Sequence, residues 1–236
     1  MSVKLANASE TPGAFWAHIL PFLVWVLVMS VPMEDVVFRY LLQTVLGAGA
    51  LAFARPWRFH GAGGIRHWPL AVGVGALVCV VWILPESHSM ARFSRVQDFY
   101  LKYGIRPFGV ITGHEWGSPY APEVCGWGLS LVRLAGSAFV IAVAEEYFWR
   151  GFLMRWMEGR NFGDVAPAAV GGGIFLVVAV LFGFEHDRWA VGIVAGLAYG
   201  WIYVRTGALS AAVVAHLVTN FLLGLYVLAF AAYEFW

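Results

Sequence analysis

Charge is what this chain has least of: 12% of its 236 residues are Asp, Glu, Lys or Arg, where soluble domains carry about 25%. With 61% apolar residues and a mean hydropathy of +0.73, the composition is that of an integral membrane protein. There is no basic tract and the net charge is +1. Nothing is therefore available to neutralise a run of phosphates, and nucleic acid is not expected as a partner. Cysteine is scarce too: Cys79 and Cys125 form no CxxC and are too few for a zinc site or a disulfide framework, so both read as packing residues. No cleavable signal peptide is expected. The triplet Ala6-Asn7-Ala8 precedes the first apolar segment instead of following it, so that segment should persist as a span.

Long apolar runs are abundant. A bilayer core of about 30 Å needs roughly 20 residues of helix, and seven stretches approach that length: 14–33, 36–53, 69–84, 128–156, 166–184, 190–204 and 209–235. The expected fold is an all-α bundle of about seven or eight transmembrane helices. The short third and sixth stretches leave room for an eighth span or a re-entrant piece. Pro21 is expected to kink the first helix without breaking it. The interval 85–127 carries Glu86, Arg92, Arg95, Asp98, Lys102, Arg106, Glu115 and Glu123, with Trp116, Tyr120 and Trp127 among them. Such aromatics favour the membrane interface, so this interval should lie on the bilayer surface with one amphipathic helix.

It separates residues 1–127, a three-helix part with its interfacial loop, from residues 128–236, a four-helix core; the two form one integrated domain. Lys4, Arg55, Arg58, Arg66, Arg155, Arg160 and Arg205 accumulate on one side, against Arg39 and Arg188 in the short loops of the other. By the positive-inside rule the N-terminus is expected in the cytoplasm.

Three patterns carry the chemistry: Glu145-Glu146-x-x-x-Arg150, Phe182-x-x-x-His186 and His216-x-x-x-Asn220. Each lies in an apolar stretch, where an ionisable side chain is costly and is read first as functional. Glu146 and Arg150 are four apart and share a helix face, which predicts a buried pair. Glu145 is turned about 100° away and is left free for chemistry. A hairpin between the fourth and fifth stretches, turning near Asn161-Phe162-Gly163-Asp164, puts Glu145 and His186 at equal depth. Continued folding back brings Asn220 to about that level and His216 one turn away. His186 alone, beside Asp187 and Arg188, also fits a solvated turn.

A desolvated glutamate near histidines can act as a general base on water, and an amide and a histidine can stabilise an oxyanion. Peptide-bond hydrolysis is the natural reaction, with Glu145, His186, His216 and Asn220 as candidate catalytic residues and Glu146, Arg150 and Phe182 in support. Zinc held by Glu and two His is the competing reading, but HExxH is absent: His114-Glu115 is followed by Ser118 at the required second position. No cofactor and no metal is the preferred expectation. A non-catalytic immunity or assembly factor and a proton-coupled transporter are the alternatives from other classes; the transporter would need an inverted repeat that the sequence does not display.

In this order the patterns resemble the CAAX protease and bacteriocin-processing family of intramembrane endopeptidases, related to the enzymes that trim prenylated CAAX proteins. The resemblance covers residues 128–225, including Glu145-Glu146-Tyr147-Phe148-Trp149-Arg150-Gly151-Phe152-Leu153 and Tyr203-Val204-Arg205-Thr206-Gly207-Ala208-Leu209. It implies that Glu145 activates water, that His186 and His216 position it, that Asn220 stabilises the oxyanion, and that the protease is of glutamic type without a catalytic metal. Trp82-Ile83-Leu84-Pro85-Glu86-Ser87 resembles the subgroup found with exosortase sorting systems. That implies a bacterial inner-membrane setting, a membrane-anchored protein or peptide as substrate, the lipid bilayer as surroundings, and a possible exosortase-system partner. The eukaryotic relatives act on cytosolic C-termini, whereas the basic residues here place His186 at the outer end of its helix.

Overall fold

The computed structural model describes residues 12–61, 67–106 and 118–236. Lys4, the Ala6-Asn7-Ala8 triplet, Arg66, His114-Glu115 and Trp116 lie outside the described residues. Within them the chain is helical and has no strand. Seven long helices make the bundle: α1 (Pro12–Met29), α2 (Val36–Ala54), α3 (Trp68–Ile83), then, after the short surface helix α4 (Ser94–Tyr103), α5 (Trp127–Glu158), α6 (Gly172–Phe184), α7 (Trp189–Thr206) and α8 (Leu209–Phe230). Each of the seven apolar stretches expected from the sequence corresponds to one of them.

Four helical stretches, Val36–Phe59, Trp68–Glu86, Trp127–Glu158 and Leu209–Phe230, are long and apolar enough to cross a bilayer; Gly13–Met29 and Gly172–Phe184 are apolar but shorter. Phe53, Leu77, Phe139 and Phe230 point outward from the bundle, as expected of faces that meet lipid rather than water.

Local chemistry sets the boundaries. The Asp35 carboxylate accepts from the Phe38 N–H at 2.8 Å and caps α2. Gly207, at φ 69°, ends α7 in the left-handed conformation that glycine adopts without strain. Three ends differ from expectation. The first helix stops at Met29 rather than 33, ahead of Pro32. The sixth helix begins at Gly172 rather than 166, because Pro167 directs residues 167–169 into a 3₁₀ turn and Gly171 to Gly173 favour no earlier start. The last helix stops at Phe230 rather than 235, where Ala231 turns left-handed at φ 52°.

The surface helix appears where the polar interval was expected. Phe93, Val96, Phe99 and Tyr103 form its exposed apolar face, while Gln97 donates to the carbonyls of Pro85 and Ser87 and ties the helix to the end of α3.

Packing is close where glycines remove side chains, the usual device when lipid offers no hydrophobic drive for helices to associate. The α6–α7 contact runs through Gly183, Gly192 and Gly196; a Cβ on Gly196 would stand 2.9 Å from the Ala179 carbonyl oxygen. A Cβ on Gly75 of α3 would overlap the Ala215 carbonyl of α8 and lie 2.8 Å from the Val218 Cβ. Gly75→Ala is therefore expected to destabilise the protein by about 1–3 kcal/mol, the usual range for overpacking, read as a lower unfolding temperature in detergent.

The helix at the centre, α5, is not regular. It is the most enclosed of the four spans, with 39% of its apolar window buried, and it contains two π-helical segments, Gly136–Ile141 and Tyr147–Leu153. Between them lies a five-residue α-helical piece, Ala142–Glu146, which carries both glutamates. Interruptions of this kind are frequent at functional sites.

Candidate active site

Glu146 and Arg150 form the predicted pair: Arg150 Nη1 stands 2.9 Å from Glu146 Oε1, and both side chains are fully enclosed. Arg150 reaches across with Nη2 to the Gly196 carbonyl at 3.0 Å, and its guanidinium lies 4.3 Å over the Phe182 ring. Phe182 thus supports the ion pair by covering the cation with a ring face. Glu146 has a second task that the motif spacing did not reveal. Its Oε1 also receives His216 Nδ1 at 2.9 Å.

That contact fixes His216. With Nδ1–H given to the carboxylate, Nε2 is left as the acceptor nitrogen of the ring, and it faces Glu145 Oε2 at 3.8 Å. Tyr199 stacks on the imidazole with centroids 4.6 Å apart at 19°, so the ring cannot rotate away. The distance of 3.8 Å is too long for a direct hydrogen bond, and Glu145 Oε2 is buried with no hydrogen-bond partner. A carboxylate left so in a native interior calls for an explanation.

His186 lies in the turn just past the end of α6 and is half-buried there. Its Nδ1 donates to the Phe182 carbonyl at 2.9 Å, which leaves Nε2 free, and the ring packs between Trp82 and Phe182. Its own carbonyl accepts from Arg106 Nη2 at 3.1 Å. Asn220 donates Nδ2 to the Ser137 carbonyl inside the first π-helical segment at 2.9 Å. His216, rather than Asn220, therefore lies at the level of Glu145, and Asn220 is nearer the mouth. The fold-back count treats successive helices as equal, whereas α6 has 13 residues and α7 has 18.

Glu145, His186, His216 and Asn220 all line one cavity of about 330 Å³, within the range of small-molecule sites. Its mouth is formed where α1, α3, α6 and α8 end and α5 begins, with Met29, Trp82, Asp187, Arg188 and Phe235 around it. Two wall residues escaped the sequence reading. Glu185 accepts from Trp149 Nε1 at 2.9 Å, and Tyr199 positions His216. Glu185, a carboxylate beside His186 at the end of an apolar run, was detectable by the same cost argument that singled out Glu145. Tyr199 carried no such signal, since an aromatic in a helix is ordinarily core.

Among the described residues, no three His, Cys, Asp or Glu side chains are grouped so as to hold a metal ion. One His216 nitrogen and one His186 nitrogen are already committed, to Glu146 and to the Phe182 carbonyl.

The fold and site together define a helical membrane protein with a buried glutamate and two imidazoles around an internal cavity. Residues 127–222, which hold all seven motif residues, match the family described as type II CAAX prenyl endopeptidase Rce1-like. Comparison with curated proteins and with solved structures gives no match.

Proposed function

We propose that the protein is an intramembrane endopeptidase of glutamic type that hydrolyses a peptide bond in a membrane-anchored protein or peptide. The observation that carries this reading is the buried Glu145 carboxylate, unpartnered at Oε2 and facing the acceptor nitrogen of His216 across 3.8 Å, in the wall of a cavity. Two acceptors facing each other at that distance suit a bridging water that donates to both.

Glu145 takes a proton from this water as its oxygen bonds to the scissile carbonyl carbon. The carbonyl oxygen becomes an oxyanion, stabilised by the second N–H of the Asn220 amide, the first being committed to Ser137. The C–N bond then breaks, and the departing amine receives the proton held by Glu145. His216 orients the water and is itself oriented by Glu146; His186 completes the wall around it.

The reaction draws on no cofactor or metal in this reading, and zinc is the competing mechanism. Hydrolysis by the purified protein is expected to persist after incubation with 1,10-phenanthroline and dialysis. Loss of activity that returns on adding zinc would replace the glutamic mechanism with the metal one.

The setting proposed is a bacterial inner membrane with the N-terminus in the cytoplasm. Arg55, Arg58, Arg155, Arg160 and Arg205 cluster at one end of the bundle, as the positive-inside rule requires. The cavity mouth then faces outward, which suits a substrate processed on the outer side, as in exosortase-linked sorting, rather than a cytosolic CAAX tail. Cysteines introduced singly in the 55–61 loop and after residue 231 are expected to react from opposite sides with an impermeant maleimide. Labelling of both from one side would overturn this topology.

A further inference from the structure

The cavity wall holds a cation that hydrolysis leaves without a task. Along α5 the residues facing the cavity are Arg133, Ser137, Ile141 and Glu145, each four after the last. In a regular α-helix the first and last of these would diverge by about 120°. The π-helical segment Gly136–Ile141 turns less per residue, and this keeps the row on one wall.

Arg133 lies over two rings, Tyr40 at 4.2 Å and Tyr120 at 4.8 Å, and its Nε is buried with no hydrogen-bond partner. Among the described residues no carboxylate lies within ion-pair distance of it, whereas the other arginine of the wall, Arg188, is gripped by both oxygens of Glu86 at 2.6 and 2.8 Å. The paired rings restrain the guanidinium, so an incoming anion has less to order.

Resting on the hydrolase reading, the geometry points to Arg133 as a substrate-binding residue that takes a carboxylate of the substrate peptide, either its terminus or an acidic side chain. The helix sets the separation from Glu145 at about 16–18 Å. An extended peptide covers roughly 3.3–3.6 Å per residue, which puts the carboxylate about five residues from the scissile bond. Asp187 and Glu234 also line the cavity and repel an acid elsewhere, so register and charge select together.

The test is binding to the full-length Glu145→Gln protein in phosphatidylcholine nanodiscs, which separates recognition from turnover. The probes are N-acylated peptides of four to ten residues, each made as the free acid, as the C-terminal amide, and as the amide with one internal Asp. A carboxylate preference of about tenfold or more is expected for one source, terminal or internal, since charge-assisted hydrogen bonds contribute on that scale. Arg133→Gln should abolish the preference and Arg133→Lys should retain part of it. Equal affinity of acids and amides for the protein bearing Arg133 overturns the inference, as does an equal loss for both in Arg133→Gln, which would mark a packing role. A retained acid preference in a protein whose unsubstituted form hydrolyses none of these peptides would support the subsite while removing the hydrolase reading.

Discussion

Glu145→Gln is expected to abolish hydrolysis while the protein remains folded. The amide cannot take a proton from water at neutral pH, and a general base contributes about 10²- to 10⁴-fold to rate; the loss should appear in kcat with little change in KM. Stability should fall little, because Glu145 Oε2 has no hydrogen bond to lose and its nearest basic nitrogen is 3.8 Å away. Removing a buried carboxylate that lacks a partner can even raise the unfolding temperature. Full activity in Glu145→Gln would remove this residue from the mechanism; inactivity accompanied by unfolding would make it structural.

The second large effect concerns stability. Arg150→Met is expected to cost about 3–5 kcal/mol, the range for removing one member of a buried ion pair. Glu146 would lose its only countercharge within ion-pair distance while still holding His216. Glu146→Gln should also destabilise, and should impair turnover as well, since its oxygen Oε1 orients the His216 ring. In the double variant the loss should be smaller than the sum of the two single losses, because the uncompensated charge is gone. Thermal unfolding of the four proteins in one detergent checks this; strictly additive losses would mean that the two residues act independently.

The glutamate pair was legible in sequence because helical spacing and the cost of burying charge act locally. Four-residue spacing predicted Glu146 with Arg150 and left Glu145 apart, as the contacts bear out. The apolar stretches likewise announced seven helices, since the bilayer imposes length and composition on each. What stayed hidden depends on departures from regularity. Nothing in Gly136–Ile141 signals a π-helical segment, yet that segment sets which α5 residues share the cavity wall and places Arg133 in line with Glu145. The level of His216 was misjudged for the same kind of reason: unequal helix lengths and tertiary tilt are invisible to counting along the chain.

Tyr199 and Trp82 hold the imidazoles, and Arg106 the His186 carbonyl, through contacts distant in sequence. Their residue types are common in membrane helices and interfacial loops, so no single-sequence argument singles them out. Glu185 is different: as an ionisable group at an apolar helix end, it falls under the same cost argument as Glu145.

The most direct test of the central claim is to compare new protein termini in membranes of cells expressing the protein and its Glu145→Gln variant at matched levels. The account predicts a set of cleaved membrane-anchored proteins that appears with Glu145 present and is absent with the glutamine. The same termini in both membranes would contradict it and assign the cavity a binding role in place of a hydrolytic one.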